Sequence, residues 1–257
     1  QRLTVMSKQQ RHEELLTMLD AEGERGVEEL VERLGVSAMT VRRDLAELAA
    51  SGQVQRTHGG ATLSSAGIAQ FRFVGSRDNL LPEKKAIARV AAARIAPGMS
   101  VVLDTGTTAL EVARELRSIR DLRILTTSLS IAAELHDAPG LELVLLGGTV
   151  RRGLPDLTGP LTERNLAEFR VDIAVLGADA VEPVGIFTND LSVARVAQAM
   201  VKAAKTSILV VDHSKFSCRS FVKYADWEQF DLVVTDSKLP TDVSDWLPAT
   251  RPELVLA

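Results

Sequence analysis

The chain has 257 residues, of which 46% are hydrophobic and 25% are charged, a composition that excludes a wholly disordered protein. One cysteine, Cys218, excludes an intrachain disulfide and a cysteine-based zinc site. The formal net charge of −4 argues against indiscriminate binding to polyanions, but it leaves room for a local basic surface.

The chain shows neither of the usual membrane or export signals. No apolar run approaches the roughly 18 residues of a membrane span, and the first residues lack the pattern of a signal peptide. We therefore expect a cytoplasmic protein without a membrane contact. The histidines are far apart and lack the spacing of metal ligands, so we expect neither a metal nor a cofactor.

The sequence changes character near residue 64. Three short amphipathic helical patterns precede this point, and apolar strand-like runs alternate with helical stretches after it. This predicts a small domain over residues 1–63, a linker over 64–79 and a larger domain over 80–257.

The small domain is predicted to be an α+β winged helix-turn-helix. Its first helix covers residues 8–21, and its second carries apolar residues at i, i+3, i+4 and i+7 from Val27. Ser37 can cap a third helix that runs to about residue 50. Residues 53–56 and 61–63 then read as two strands around a turn, which is the wing.

The third predicted helix has a buried side and an outward side. At 100° per residue, Val41, Leu45 and Leu48 share the core side, while Met39 and Arg43 point outward. In helix-turn-helix proteins this helix enters the major groove, where arginine forks pair with guanine or phosphate. We predict that the following residues contact DNA: Ser37, Met39, Thr40, Arg42, Arg43, Arg56 and His58.

Charge gives this prediction uneven support. Acidic residues outnumber basic ones ten to eight over residues 1–62, but from 37 to 62 three arginines face only Asp44 and Glu47. A solvated helix face and a protein-binding helical module remain open as alternatives.

The larger domain is predicted to be α/β with a mainly parallel sheet. Its predicted helices cover residues 83–95, 108–116 and 128–136, and its predicted strands cover 101–103, 123–125, 142–146, 172–176, 207–211 and 232–235. This alternation places helices on both faces of the sheet, and ligands bind such sheets beyond the carboxyl ends of the strands.

Glycines, hydroxyls and aspartates follow the predicted strands. Hydroxyls and backbone N–H groups at a helix start suit a phosphate, aspartates suit sugar hydroxyls, and Lys215 can pair with a phosphate. The predicted ligand-binding set is Asp104, Gly106, Thr107, Thr108, Thr127, Ser128, Gly147, Gly148, Gly177, Asp179, Thr188, Asp190 and Lys215. Taken singly, such residues are often only caps and turn formers.

The small domain resembles a known family. Residues 27–30, 34–45 and 56–61 read VEEL, LGVSAMTVRRDL and RTHGGA. Over residues 11–63 the chain closely resembles the winged helix-turn-helix of the DeoR family of bacterial transcriptional regulators. The resemblance implies that the third helix enters the major groove of a double-stranded DNA operator.

The larger domain resembles the C-terminal sensor domain of the same family. The carrying motifs are DTGTT at 104–108, LGGTVR at 146–151, LGAD at 176–179 and DHSKF at 212–216. The resemblance implies a fold like ribose-5-phosphate isomerase, a phosphorylated sugar or related metabolite as effector, and a homodimer or higher homo-oligomer. Thr127 replaces the asparagine usual in the family, and Ser192 and Val193 replace acidic residues that are common in the family. These differences leave the identity of the effector open.

Our hypothesis is a regulator of sugar metabolism, a repressor rather than an activator, that is not an enzyme. The alternative is a sugar-phosphate isomerase with an appended helical domain, in which Glu182 or Asp190 serves as the base. The isomerases that this domain resembles carry a lysine after the Gly-Ala-Asp turn. Here no lysine lies between Gly177 and Lys202, so that catalytic arrangement is missing.

Overall fold

The computed structural model describes residues 6–57, 59–64, 79–240, 243–246 and 252–257. The chain forms two compact units that divide mainly between residues 76 and 77. Most of the predicted linker lies outside the described residues, so the predicted domain limits stay predictions. No helix in the described part of the chain is long and apolar enough to cross a membrane.

The first unit is the predicted winged helix-turn-helix. Its elements are α1 (Lys8–Glu22), β1 (Arg25–Gly26), α2 (Val27–Leu34), α3 (Ala38–Ala50), β2 (Val54–Arg56) and β3 (Gly60–Leu63). The strands form an antiparallel sheet in the order β1-β3-β2. The helices and this wing enclose one hydrophobic core, so the prediction for this part of the fold is confirmed.

Local chemistry fixes the turns of the first unit. Gly35 ends α2 in the left-handed conformation, with φ 64°, and the Ser37 hydroxyl then accepts a hydrogen bond from the Thr40 backbone N–H at 3.2 Å. A Cβ added to Gly60 would lie 1.8 Å from the Arg25 carbonyl oxygen, so only glycine lets β3 approach β1.

The second unit is the predicted α/β domain. Its helices are α4 (Leu81–Ala92), α5 (Thr107–Leu116), α6 (Leu129–Leu135), α7 (Pro160–Ala167), α8 (Leu191–Ala203) and α9 (Val243–Trp246). Its strands are β4 (Ser100–Leu103), β5 (Leu122–Thr126), β6 (Leu141–Leu145), β7 (Thr149–Val150), β8 (Leu157–Thr158), β9 (Val171–Leu176), β10 (Ala180–Glu182), β11 (Gly185–Thr188), β12 (Ala204–Val210), β13 (Val222–Ala225), β14 (Leu232–Thr235) and β15 (Glu253–Leu256). Short 3₁₀ helices cover His213–Ser217 and Trp227–Gln229.

A seven-stranded sheet organises this unit. Its order is β15-β14-β12-β9-β4-β5-β6, and all of its neighbouring strands are parallel. Alternating side chains enter two cores: Val101 and Leu103 pack against α4, α5 and α6, while Val102 faces α7, α8 and a small antiparallel sheet. Both faces of the central strands are therefore buried, as is usual in parallel sheets, whereas the edge strands β6 and β15 are partly exposed.

Several elements were not predicted. The structure adds the antiparallel sheet β10-β11-β13, the hairpin β7–β8, helices α7 and α8, and the edge strand β15. The antiparallel strands have two to four residues each, which is too short for a readable period. The helix predicted at 83–95 runs from Leu81 to Ala92, with Pro82 in its first turn.

Candidate functional sites

The outward side of α3 carries most of the predicted DNA-contacting residues. Met39, Arg42 and Arg43 are exposed there, and Thr40 is half-buried, with its hydroxyl 2.9 Å from that of Ser37. Arg56 is also exposed, on β2, which packs against α3. His58 lies outside the described residues. The structure thus places the described members of this set on α3, its cap and the adjoining wing.

Asp44, which the charge count of residues 37–62 set against the three arginines, does not lie on the outward surface of α3. Its side chain has no exposed surface, and it accepts two hydrogen bonds from Arg11, at 2.5 Å from Nε and 3.1 Å from Nη2. Burial raises the pKa of Asp44, but the hydrogen bonds and charge of Arg11 outweigh burial, so the pKa is lowered. The hydrophobic period of α3 could not predict this contact, because Arg11 lies on another helix.

The second acid of this region is also paired from α1. Glu47 forms an ion pair with Lys8, in which the Lys8 Nζ lies 2.5 Å from the Glu47 Oε2. Among the described residues, Arg42, Arg43 and Arg56 have no such acidic partner. The outward surface of α3 is therefore more clearly positive than the residue count indicates.

The same helices bring three metal-ligand types together. Single ligand atoms of His12, Asp44 and Glu47 lie within 4.8 Å of one another. Because Arg11 and Lys8 already pair with the two carboxylates, we interpret the group as an ion-pair network.

In the second unit, predicted residues meet where β4 and β9 end. Asp104 follows β4 and accepts a hydrogen bond from the Gly177 N–H at 3.1 Å, while the Tyr224 hydroxyl donates to the Gly177 carbonyl at 2.6 Å. Asp104 therefore fixes one side of this turn and Tyr224 the other. Sequence reasoning missed Tyr224, because β13 lies outside the parallel alternation that guided it.

Asp104 occupies an unusual electrostatic setting. Burial raises its pKa, the N–H groups of Gly177 and Thr105 lower it, and the nearby Asp156 and Asp179 raise it, so that the net shift is upward. Burial, Asp104 and Asp179 also raise the pKa of Tyr224 well above its ordinary value, which keeps its hydroxyl a hydrogen-bond donor. Several carboxylates therefore lie near one another at this edge of the sheet.

The end of β5 contributes three consecutive hydroxyls with different roles. The Thr126 hydroxyl donates to the Leu103 carbonyl at 2.9 Å and accepts from the Ser128 N–H. Ser128 is fully buried and caps α6, accepting from the Ile131 N–H, which favours a structural role over direct ligand contact. The Thr127 Oγ1 is buried and has no hydrogen-bond partner among the described residues, so it is the hydroxyl best suited to a ligand.

Arg151 lies among the carboxylates, although it was not among the predicted site residues. Its Nε donates to Asp156 at 2.8 Å, its Nη2 also pairs with Asp156, and its Nη1 lies 3.6 Å from Asp190. Burial lowers the pKa of Arg151, but hydrogen bonding to Asp156 and the charges of Asp156, Asp190 and Asp179 raise it overall. The only available signal was the position of Arg151 at the end of the LGGTVR motif, and Asp156 gave none.

Two other predicted aspartates also have defined partners. Asp179 accepts from the Thr188 hydroxyl at 2.9 Å and from the Asn189 N–H at 2.8 Å. Asp190 caps α8, since its Oδ1 accepts from the Ser192 N–H at 2.7 Å, while its Oδ2 faces Arg151. Both residues are thus fixed in position beside the strand ends.

The remaining predicted residues divide by role. A Cβ on Gly148 would lie 2.0 Å from the Thr162 Oγ1, so packing against α7 accounts for this glycine. The Thr162 hydroxyl also donates to the Gly147 carbonyl at 2.7 Å. Gly106 starts α5 without a side-chain cap, followed by Thr107 and Thr108. The first turn of α5 therefore offers its N–H groups to an anion.

Among the described residues, no hydrogen bond or ion pair joins Lys215 to the carboxylates. It lies half-buried in the 3₁₀ helix that follows β12.

The group around Arg151 comprises four carboxylates and one guanidinium, with a formal charge of −3: Asp104, Asp156, Asp179, Asp190 and Arg151. Such a group can accept hydrogen bonds from hydroxyls, and its net negative charge disfavours a phosphate.

Comparison with protein families identifies both units. Residues 11–66 match the DeoR-like helix-turn-helix domain, and residues 81–237 match the DeoR C terminal sensor domain. The second match alone covers more than half of the chain.

Curated relatives match along nearly the whole chain. The HTH-type transcriptional repressor CsqR of Escherichia coli (strain K12) is 33% identical over 255 residues, which cover 99% of this chain and 97% of that protein. The Glycerol-3-phosphate regulon repressor of the same strain is 33% identical over 239 residues, covering 93% of this chain and 94% of that protein.

A weaker similarity links about half of the chain to solved enzymes. The structure of ribose 5-phosphate isomerase A from Methanocaldococcus jannaschii gives a TM-score of 0.37 and 24% identity, covering 52% of this chain and 53% of that one. Similarity at this level carries no argument about activity. From the two domain matches and the full-length relatives, the chain belongs to the DeoR family of transcriptional regulators.

Proposed function

We propose that this DNA-binding regulator is a repressor of a sugar-metabolism operon, that α3 and the wing contact its operator, and that a phosphorylated sugar controls it. The observation that carries the assignment of α3 to the operator is its outward surface, where Arg42 and Arg43 are exposed and both nearby acids are paired from α1. Exposed arginine forks are suited to guanine edges and phosphates.

The names of relatives support repression over activation, and they support the proposed class of effector. CsqR is named a transcriptional repressor, and another relative is named a repressor of the glycerol-3-phosphate regulon. A small phosphorylated polyol or sugar is therefore the class of ligand that we propose for this chain.

We place the effector across the carboxyl ends of β4, β5 and β9. Its phosphate would lie at the first turn of α5, which has no side-chain cap and carries the hydroxyls of Thr107 and Thr108. Its hydroxyls would face Asp104 and Asp179, and the buried Thr127 Oγ1 would gain a partner. The carboxylate group then selects for hydroxyls while the helix start selects for the phosphate.

We also propose that the protein acts as a homodimer or higher homo-oligomer in the cytoplasm. One helix-turn-helix reads only a short half-site, and a two-fold assembly supplies the second. A DNA operator as partner supports the cytoplasmic location. The isomerase alternative is not favoured, since Asp190, one of its two candidate bases, caps α8 and faces Arg151.

Replacing Asp104 with asparagine tests the effector site. Because the variant loses a charge-assisted acceptor, we expect effector affinity to fall roughly 10- to 150-fold, measured by calorimetry with the phosphorylated sugar that most raises the melting temperature of the wild type. Operator affinity in the absence of the sugar should not change. A variant with wild-type sugar affinity would contradict the assignment.

The same variant should change the dependence of stability on pH. The folded pKa of Asp104 is raised, mainly by burial, so its stabilising contribution is present at low pH and is lost as pH rises through that pKa. The asparagine variant avoids this loss, so we expect it to melt at a higher temperature than the wild type at pH 7, with the gain shrinking towards pH 4.

Asp172 provides a matched control at the opposite end of the sheet. Its carboxylate accepts from the Ser100 N–H and hydroxyl, both at 2.8 Å, and these hydrogen bonds lower its pKa. Asp172→Asn should therefore lose stability at neutral pH, opposite in sign to Asp104→Asn, and should bind the sugar normally. Equal sugar-binding losses in both variants would indicate a general structural effect.

A further inference from the structure

Met39 is an apolar side chain on the polar side of α3. It is 80% exposed, whereas Val41 and Leu45, which follow it on the same helix, are 0% exposed. Its side chain is therefore not required for the hydrophobic core of this unit. Single exposed hydrophobic residues are common on proteins, so exposure alone does not assign a role.

Its position within the helix is more informative. Met39 is the second residue of α3, and Arg42 and Arg43 follow it by three and four residues, so all three project from the same side. In a helix-turn-helix the N-terminal residues of this helix face base edges. The major-groove edges of the bases present one apolar group, the C5-methyl of thymine, and otherwise mainly polar atoms.

We propose that Met39 packs against the C5-methyl group of a thymine in the operator half-site and selects thymine at that position. This inference rests on the proposed entry of α3 into the major groove. Four residues of helix rise about 6 Å, and base pairs are spaced by about 3.4 Å, so the thymine lies within about two base pairs of the Arg43 contact.

The test uses the full chain and an operator that the chain itself selects from random duplexes. Each thymine of the half-site is replaced in turn by deoxyuridine, which removes only the C5-methyl group. The wild type should lose about fourfold in affinity at one position, the equivalent of one buried methyl group. Met39→Ala should bind the thymine and deoxyuridine operators equally.

Two further variants separate the contact from general effects. Met39→Leu keeps an apolar side chain and should retain part of the preference for thymine. Phe221→Ala removes a side chain that is 84% exposed in the second unit, and it should leave the preference unchanged.

The inference is overturned if the wild type is indifferent to deoxyuridine at every position, or if Met39→Ala keeps the full preference. A different failure concerns the proposed function: if Arg43→Ala binds the operator as tightly as the wild type, α3 is not the helix that reads DNA.

Discussion

Replacing Asp44 with alanine is expected to destabilise the winged helix-turn-helix by about 3–5 kcal/mol, the usual cost of removing one partner from a buried ion pair. The Asp44 side chain is completely buried, and Arg11 is only 7% exposed. The variant would leave the Arg11 guanidinium buried without its carboxylate. A unit of this size has little stability to spare, so we expect it to be largely unfolded and unable to bind DNA.

Acid should act on the same ion pair. The folded pKa of Asp44 is lowered, because Arg11 outweighs the effect of burial, so the pair stabilises the unit above the unfolded pKa. This contribution is lost as pH falls through the lowered pKa, which lies below the ordinary aspartate pKa of about 3.9. Far-UV circular dichroism at decreasing pH should show the wild-type unit unfolding in that range.

Glu47→Ala is the matched control on the same helix. Glu47 pairs with Lys8 at 2.5 Å, but their side chains are 40% and 57% exposed, so solvent screens the pair and its loss should cost far less stability than the loss of Asp44. Replacing the buried pair together, by Arg11→Met with Asp44→Leu, should recover most of the stability. If Asp44→Ala costs no more than Glu47→Ala, the buried pair does not hold α1 to α3.

The positions of the tryptophans allow the two units to be followed separately. Trp227 and Trp246 are the only tryptophans of the chain, and both lie in the second unit. Tryptophan fluorescence should therefore show a normal transition in Asp44→Ala, while the helical signal of the first unit is lost.

Arg43→Ala is expected to weaken operator binding by roughly 5- to 150-fold, the range for losing one well-placed arginine contact to a base. If Arg43 contacts a phosphate instead, the slope of log affinity against log salt should also fall by about one. Arg43 is exposed and outside the core, so the melting temperature should change little. Fluorescence anisotropy at several salt concentrations measures both quantities.

Arg33→Ala is the control for charge. Arg33 lies on α2 and pairs with Glu22 at 2.7 Å, so the variant removes the same charge from the same unit at a different surface. We expect operator affinity close to that of the wild type. If both variants weaken binding equally, only the overall charge of the unit is being measured, and α3 is not the reading helix.

Local patterns predicted the first unit well, but they gave no sign of the buried ion pair between Arg11 and Asp44. The period of Val41, Leu45 and Leu48 identified the core side of α3, and Ser37 identified its start. Asp44 lies beside that core side, but its partner is 33 residues earlier in the chain. The hydrophobic period of a single helix does not predict a polar contact with another helix.

In the second unit, the sequence predicted the strand ends but not everything that meets there. Asp104 and Asp179 follow buried strands directly, which made them visible as candidates. Arg151 and Asp156 belong to a two-stranded hairpin, and Tyr224 belongs to a short antiparallel strand. These elements have no readable period, and only tertiary packing brings them to the site.

A single titration tests most directly whether a phosphorylated sugar controls operator binding. A fluorescent operator is titrated with the full chain, with and without saturating sugar phosphates and the same sugars without phosphate. We predict that one phosphorylated sugar weakens operator binding by roughly 5- to 150-fold and that its unphosphorylated form does not. Unchanged operator affinity with every phosphorylated sugar that stabilises the second unit would contradict control by a phosphorylated sugar.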